Sequence, residues 1–197
     1  MPTAHLISGL PCSGKTSYSA ALREKTSAVL FSLDYWLITT HGRYSIGAVG
    51  HEEHIRRVLA GRHLISGLAL EFLERGVDVI LDDGFFLREH RQQQIAVFER
   101  ISAKGSVVRV KTHVVQVPLP TLRVRLAKRN ADLPPYNFEV NPELIEQFSA
   151  MYEQPQADEG AELVVVDGTA PFSKKFELAT RTDVQSTVDS TSRINSL

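Results

Sequence analysis

The most constraining stretch of this 197-residue chain runs from residue 4 to residue 25. An apolar pair, Leu6 and Ile7, precedes a G-x-x-x-x-G-K-T pattern over Gly9–Thr16, and a helix-forming run follows it. The two glycines allow a tight turn and a close approach of the backbone to a ligand. Successive backbone N–H groups can then form an anion-binding nest at the positive end of the helix. The sequence therefore predicts a phosphate-binding loop between a strand and a helix.

The residue types inside this loop suit a bound nucleoside triphosphate. Lys15 supplies a positive charge for the β- and γ-phosphates, and the Thr16 hydroxyl can ligate Mg²⁺. We expect alkylation of Cys12, which lies inside the loop, to block nucleotide binding. The expected nucleotide contacts comprise the whole loop and the residue after it, namely Gly9, Leu10, Pro11, Cys12, Ser13, Gly14, Lys15, Thr16 and Ser17.

The composition of the chain narrows the class of protein. A hydrophobic content of 43% and a charged content of 23% are ordinary for a soluble globular domain. The formal net charge of −1 argues against a broad surface for nucleic acid or anionic membranes. A single cysteine excludes an internal disulfide and fits a reducing compartment. With no signal-peptide pattern and no apolar run of spanning length, we expect a cytoplasmic enzyme that does not bind a membrane.

Short apolar runs alternate with helical patterns along the rest of the chain. Periodic apolar positions predict a long helix from Glu52 to Gly76, and the glycine-rich stretch 39–50 is interpreted as a loop. The βαβαβαβαβ order indicates an α/β fold with a parallel sheet and helices on both faces. We expect one domain over residues 1–175 and a polar tail over residues 176–197, where no periodicity is evident.

Acidic residues follow three of the predicted strands. Asp34 comes after the second strand, Asp82 and Asp83 after the third, and Asp167 after the last. Ligands of open parallel sheets bind beyond the carboxyl ends of the strands, so these carboxylates are candidate site residues. Asp82 ends an apolar run, as expected for a carboxylate that holds Mg²⁺ together with Thr16. The alternative is that the Asp-Asp-Gly sequence serves only as a turn, and it stays open which aspartate lies nearer the metal.

Asp34 is the candidate catalytic base. A phosphoryl acceptor needs a carboxylate that orients its hydroxyl or removes its proton, and a strand end beside the phosphate loop suits that role. The alternative is that Asp34 caps the helix that follows it. The neighbouring Tyr35 and Trp36 could line the acceptor pocket, although Trp36 suits core packing equally well.

A basic run over residues 123–129 precedes a proline-containing segment. Arg125 and Arg129 are four residues apart and so share one face of the predicted helix. Guanidinium groups stabilise charge on a transferring phosphoryl group, so we expect a lid around residues 121–140 that carries these two catalytic arginines. A solvated basic helix face is the alternative.

The segments GLPCSGKT, FSLDYWL, VILDDGFFLREHR and LRVRLAKRN, in this order and spacing, resemble small P-loop kinases and phosphotransferases. That group includes chloramphenicol phosphotransferase, the zeta toxins, the 5′-hydroxyl polynucleotide kinase domain and bacterial ATP-binding proteins labelled as AAA-type domains. The resemblance implies a three-layer P-loop nucleoside triphosphate hydrolase fold with a five-stranded parallel sheet in the order 2-3-1-4-5. It also implies roles for particular residues: phosphate and Mg²⁺ binding by Lys15 and Thr16, acceptor activation by Asp34, lid arginines at Arg125 or Arg129, and an adenine contact at Asp167.

The expected function is ATP- and Mg²⁺-dependent transfer of phosphate to a hydroxyl of a small molecule. A polynucleotide 5′-hydroxyl kinase is one alternative, which the near-neutral charge disfavours. The polynucleotide kinases carry an arginine shortly after the residue that matches Asp34, whereas this chain has Tyr35, Trp36 and Leu37 there. An ATPase or nucleotide-dependent switch without an acceptor is the other alternative. The chain has no guanine-recognition signature, and Asp83 is a poor substitute for the glutamate of motor ATPases.

Overall fold

A parallel sheet of five strands forms the centre of the computed structural model, which describes residues 1–102 and 107–172. The strands are β1 (Thr3–Ser8), β2 (Val29–Ser32), β3 (Val79–Gly84), β4 (Arg109–Gln116) and β5 (Glu162–Asp167). Their order in the sheet is β2-β3-β1-β4-β5, and all pairs are parallel, which confirms the predicted fold class and strand order.

Seven helices connect these strands in the described part of the chain. They are α1 (Lys15–Thr26), α2 (Leu33–His41), α3 (Ile46–Val49), α4 (His51–Glu74), α5 (Arg88–Ser102), α6 (Leu119–Ala131) and α7 (Leu144–Met151). None of these helices combines the length and the apolar character that a bilayer span requires. The predicted tail over residues 176–197 lies outside the described residues.

Both faces of the sheet are buried. Successive side chains of a strand point to opposite faces, and helices cover each face. Leu6 and Leu81 belong to a core cluster that α4 and α5 cover. Ile7 and Ile80, one position removed, belong to a second cluster, to which α1 contributes Tyr18. The adjacent apolar residues Leu6 and Ile7 of β1, and Ile80 and Leu81 of β3, are therefore buried on opposite sides of the sheet.

The sheet register gathers the candidate site residues at one edge. Ser32 at the end of β2 pairs with Asp82 of β3, and Ser8 at the end of β1 pairs with Gly84. On the other side of β1, Gln116 of β4 pairs with Asp167 of β5. The carboxyl ends of the five strands thus lie at the same edge of the sheet as the phosphate loop, which follows the central strand β1.

Between residues 32 and 50 the structure contradicts one sequence-based expectation and rules out one alternative. Stretch 39–50 is not a continuous loop, because α2 extends to His41 and α3 forms a further turn, which the Ser45 hydroxyl caps. The helix cap of α2 is Ser32, whose Oγ accepts from the backbone N–H of Tyr35 at 3.5 Å. The alternative interpretation of Asp34 as the cap is therefore wrong, and its carboxylate lies in the first turn instead.

Candidate active site

The phosphate loop presents unsatisfied backbone donors to its concave side. Gly14 precedes α1 with φ +100°, and no side chain caps this helix end. The first N–H groups of a helix lack partners within the helix and attract anions. Gly9 has φ +152°, and a Cβ there would lie 2.8 Å from the Val115 carbonyl oxygen and 2.8 Å from Ser13 Oγ. The loop therefore packs too closely on β4 for any residue larger than glycine at this position.

Lys15 folds over the loop that precedes it. Its Nζ donates to the carbonyl oxygens of Gly9 and Leu10, each at 2.9 Å. Burial lowers the pKa of this ammonium, whereas the carboxylates of Asp82 and Asp34 raise it. The positive charge thus lies between the phosphate loop and the acids at the ends of β2 and β3.

Thr16 and Asp82 lie in direct contact. The Thr16 hydroxyl donates to Asp82 Oδ2 at 2.9 Å, and Asp82 is 7% exposed. Burial raises the pKa of Asp82, and Lys15 and the hydrogen bond from Thr16 oppose that change. Among the described residues, no group of three or more His, Cys, Asp or Glu side chains could hold a metal ion without further ligands.

Asp83 belongs to an ion pair that the sequence pattern did not predict. Arg62 of α4 donates from Nε to Oδ2 at 2.7 Å and from Nη2 to Oδ1 at 2.8 Å, a bidentate arrangement. Its Nη1 lies 3.3 Å from Nδ1 of His90 in α5. Arg62 lies three residues before the buried Ile65 and therefore on the same, apolar face of α4. A charged residue on this face was the one feature of the sequence that could have indicated the ion pair.

Asp34 reaches the same edge from the first turn of α2. The residue is exposed to solvent, but many protein atoms lie around its carboxyl group. The loss of hydration that they cause is the largest effect on this carboxyl and raises its pKa to about 6. Asp82 adds to this rise, and Lys15 and Arg129 oppose it. Asp34, Asp82 and Lys15 therefore lie close enough to influence one another. Trp36, by contrast, packs against the core.

The basic run of α6 divides into two groups. Arg125 donates from Nη2 to the Thr169 carbonyl oxygen at 3.1 Å and makes a longer contact with the Ser13 carbonyl oxygen at 3.5 Å. Arg129 donates from Nη2 to the Phe138 carbonyl oxygen at 3.3 Å, and its Nε is buried without a hydrogen-bond partner. Arg123 faces solvent and pairs with Glu146. The structure thus brings Arg125 and Arg129 to the loop and leaves the other two basic residues of the run, Arg123 and Lys128, on the surface.

The end of β5 closes the site on the side opposite to Asp34. Asp167 Oδ1 accepts from the backbone N–H and the hydroxyl of Thr169 at 2.8 and 2.7 Å. These hydrogen bonds lower the pKa of the Asp167 carboxyl. Arg125 therefore contacts both the phosphate loop and the residues that follow β5.

Comparisons with known proteins identify the family and the fold. The chain resembles a kinase, provisionally named, from Chloroflexus aurantiacus J-10-fl (19% identity, 98% of this chain and 97% of that chain, TM-score 0.65). It also resembles Kti12 from Chaetomium thermophilum in complex with ADP-AlF3 (18%, 83% and 88%, 0.58) and a gluconokinase from Sinorhizobium meliloti 1021 (19%, 87% and 85%, 0.51). These likenesses show a P-loop kinase-like fold. No curated protein sequence gives a significant match. Residues 5–155 match the profile of a family described as an AAA domain, and the chain therefore belongs to that P-loop family.

Proposed function

We propose that this chain transfers the γ-phosphate of ATP to a hydroxyl group of a small molecule. The position of Asp34 supports the proposal most directly. Its carboxylate lies at the end of the strand next to β3, within electrostatic range of Lys15, and its pKa of about 6 leaves it mostly ionised at neutral pH. A general base works best with a pKa near the operating pH.

The phosphate loop accounts for the binding of ATP in this proposal. The uncapped N–H groups at the start of α1 and the Lys15 ammonium would hold the β- and γ-phosphates. Asp167, whose carboxylate accepts from the backbone N–H of Thr169 beyond β5, would lie beside the adenine. The resemblance to Kti12, whose structure contains ADP-AlF3, supports nucleotide binding at such a loop.

The Thr16–Asp82 contact suits Mg²⁺. Both groups offer oxygen ligands, and their atoms already lie 2.9 Å apart. Mg²⁺ prefers oxygen ligands and is often held by one or two carboxylates together with the phosphates of its nucleotide. When bound, the metal neutralises charge on the β- and γ-phosphate oxygens.

Asp34 and the two α6 arginines would act on the transfer itself. The acceptor oxygen bonds to the γ-phosphorus, and the bond from that phosphorus to the β–γ bridging oxygen breaks. The proton of the acceptor hydroxyl moves to the Asp34 carboxylate. Arg129, whose Nε has no partner, and Arg125 would offset negative charge on the phosphoryl group.

Acceptor-dependent release of ADP tests this function in two variants. We expect Lys15→Ala to abolish ATP turnover, because the variant lacks the charge that holds the phosphates. We expect Asp34→Asn to retain ATP binding and to lose transfer by a factor of at least about 10². The exposed Glu24→Gln is a control for the loss of one negative charge. Normal transfer by Asp34→Asn would remove the base assignment, and ATP loss that no acceptor accelerates would favour an ATPase or switch.

The pH dependence of kcat/KM gives a second measurement on the wild-type protein. The base must be ionised, and the protein atoms around the Asp34 carboxyl group, together with the charge of Asp82, raise its pKa to about 6. We therefore expect kcat/KM for the acceptor to be constant above this pH and to fall about tenfold per pH unit below it. A flat profile through this range would contradict a base of that pKa.

A further inference from the structure

The two sides of the phosphate loop carry different chemistry. Asp167 and Thr169 lie toward β4 and β5, on what we call the adenine side. Asp34 and the Asp83–Arg62 ion pair lie toward β2 and β3, on what we call the acceptor side. An acceptor that approaches the γ-phosphate next to Asp34 must therefore enter from the acceptor side.

Carboxylates dominate the acceptor side, and the two α4 arginines there are already paired with carboxylates. Arg62 uses Nε and Nη2 on Asp83, in contacts of 2.7 and 2.8 Å. Arg57 donates to Glu53 at 2.7 Å, and its guanidinium carbon lies 4.7 Å from the centre of the Tyr44 ring. An anionic acceptor would therefore have to break an existing ion pair to gain the guanidinium of Arg57 or Arg62.

The Asp83 carboxylate can still bind a neutral partner. Each of its oxygens accepts one hydrogen bond from Arg62, and each carboxylate oxygen has two lone pairs. The carboxylate can therefore accept further hydrogen bonds from hydroxyl or ammonium groups, but it offers no donor to a phosphate or carboxylate. Because its side chain is 9% exposed, only a group that enters the site can use these lone pairs.

Aromatic rings cover the same side. The segment of residues 132–140, which follows α6, brings Tyr136 to within 4.8 Å of Tyr35 and Phe138 to within 5.0 Å of Tyr44, measured between ring centroids. Arg43 also donates from Nη2 to the Pro134 carbonyl oxygen at 2.9 Å. Aromatic faces pack well against the C–H groups of a sugar ring and attract cations.

We propose that the acceptor is a polyhydroxylated compound without negative charge, selected by Asp83 in its ion pair with Arg62. The inference rests on the proposed kinase function and concerns only the class of acceptor. A sugar, an amino sugar or a nucleoside fits this chemistry. A sugar phosphate, a sugar acid, a nucleotide or the 5′ end of an oligonucleotide does not.

Matched acceptors test the inference on the wild-type chain. The probes are glucose, glucosamine, glucose 6-phosphate and gluconate, with adenosine, AMP and a 5′-hydroxyl oligonucleotide as a second series. We expect at least one uncharged or cationic compound to accelerate ADP release, with kcat/KM at least tenfold above that of its anionic counterpart. Preference for an anionic member, or phosphorylation of the oligonucleotide alone, overturns the inference and leaves the kinase function intact. ATP binding without transfer to any probe overturns both.

The variant Asp83→Asn tests the selecting residue. Removal of the carboxylate frees the Arg62 guanidinium, so we expect the ratio of kcat/KM for neutral over anionic acceptors to fall at least tenfold, mainly through KM for the neutral compound. Glu71→Gln, at the far end of α4 where Glu71 pairs with Arg75, removes the same charge and should leave the ratio unchanged. Measurements of ATP affinity and of thermal unfolding verify that Asp83→Asn is folded. If this variant does not fold, the acceptor series on the wild-type chain decides whether the inference holds. An unchanged ratio in folded Asp83→Asn refutes selection by Asp83.

Discussion

At the scale of single residues, the phosphate loop depends on backbone contacts that a side chain would prevent. Gly168, directly after β5, packs beneath the loop. A Cβ at this position would lie 2.5 Å from the Ser13 carbonyl oxygen and 2.6 Å from Val117 Cγ2. Backbone atoms cannot give way as the end of a flexible side chain can, so any larger residue at this position must displace the loop or β5.

We expect Gly168→Ala to weaken ATP binding and to destabilise the fold. Overpacking of this kind costs about 1–3 kcal/mol of unfolding free energy, and a displaced loop should lose roughly tenfold in ATP affinity. Calorimetric titration and thermal unfolding measure the two effects. Gly67→Ala is the matched control, because a Cβ at this position of α4 would point into open space. The free energy of unfolding of this variant should rise by up to about 1 kcal/mol, since alanine is the better helix residue. Wild-type ATP affinity in Gly168→Ala would show that the loop tolerates the extra methyl.

Cys12 illustrates how a residue inside a binding loop can be partly withdrawn from solvent. Its backbone has φ +63°, and its half-buried side chain packs with the cluster around Leu122, Leu126 and Ile145. Burial raises the pKa of the thiol, which disfavours the reactive thiolate. The expected block of nucleotide binding by alkylation stays a prediction, and the reaction should be slow at neutral pH.

At the scale of elements, a buried ion pair joins α5 to the segment that follows α7. Arg91 is fully buried and donates to Glu159 from Nε at 2.6 Å and from Nη2 at 2.7 Å. Its Nη1 donates to the Phe85 carbonyl oxygen at 2.9 Å, which ties the corner after β3 to the same network. The contact between Arg91 and Glu159, which are 68 residues apart in the sequence, therefore helps to position the acidic residues at the end of β3.

We expect Glu159→Gln to lower the free energy of unfolding by about 3–5 kcal/mol, because Arg91 would keep a buried charge without its partner. The neighbouring Asp158→Asn removes an exposed partner of Arg88 and should leave the unfolding midpoint unchanged. Chemical denaturation of both variants measures the difference. Equal stability of the two variants would mean that the buried pair adds nothing to the fold.

At the scale of the whole molecule, a buried series of polar contacts links strands β1 and β4 to α1, the helix that follows the phosphate loop. His5 Nδ1 of β1 lies 2.8 Å from His113 Nε2 of β4, and His113 Nδ1 lies 2.7 Å from the Tyr18 hydroxyl of α1. Burial lowers the pKa of His5 to about 4 and that of His113 well below its ordinary value. Both imidazoles are therefore neutral in the folded protein at neutral pH.

These histidines predict how stability depends on pH. The unfolded chain takes up protons at an ordinary histidine pKa of about 6.5, whereas folded His5 does so only near pH 4. Stability should therefore fall as the pH drops from about 6.5 toward 4. Thermal unfolding across this range should be less pH-dependent in His113→Gln, because glutamine cannot be protonated there. The exposed His63→Gln is the control, and an unchanged slope in His113→Gln would contradict the expectation.

Local sequence patterns determined the fold class and most of the candidate site. Alternating apolar runs and helical periods predicted the parallel sheet, because those periods follow from backbone geometry alone. The spacing of glycine, lysine and threonine predicted the phosphate loop. The positions of Asp34 and Asp82 after predicted strands made them candidate site residues. The strand order came from the resemblance of whole segments to a known family.

Only the tertiary structure decided which groups become partners. Asp82 contacts Thr16 whereas Asp83 is bound by Arg62, and Arg125 and Arg129 turn toward the loop whereas Arg123 faces solvent. Neighbouring residues of one type look alike in a sequence. Their surroundings differ because the ends of distant strands and helices meet, so burial and the nearest charge are properties of the folded chain and not of a local pattern.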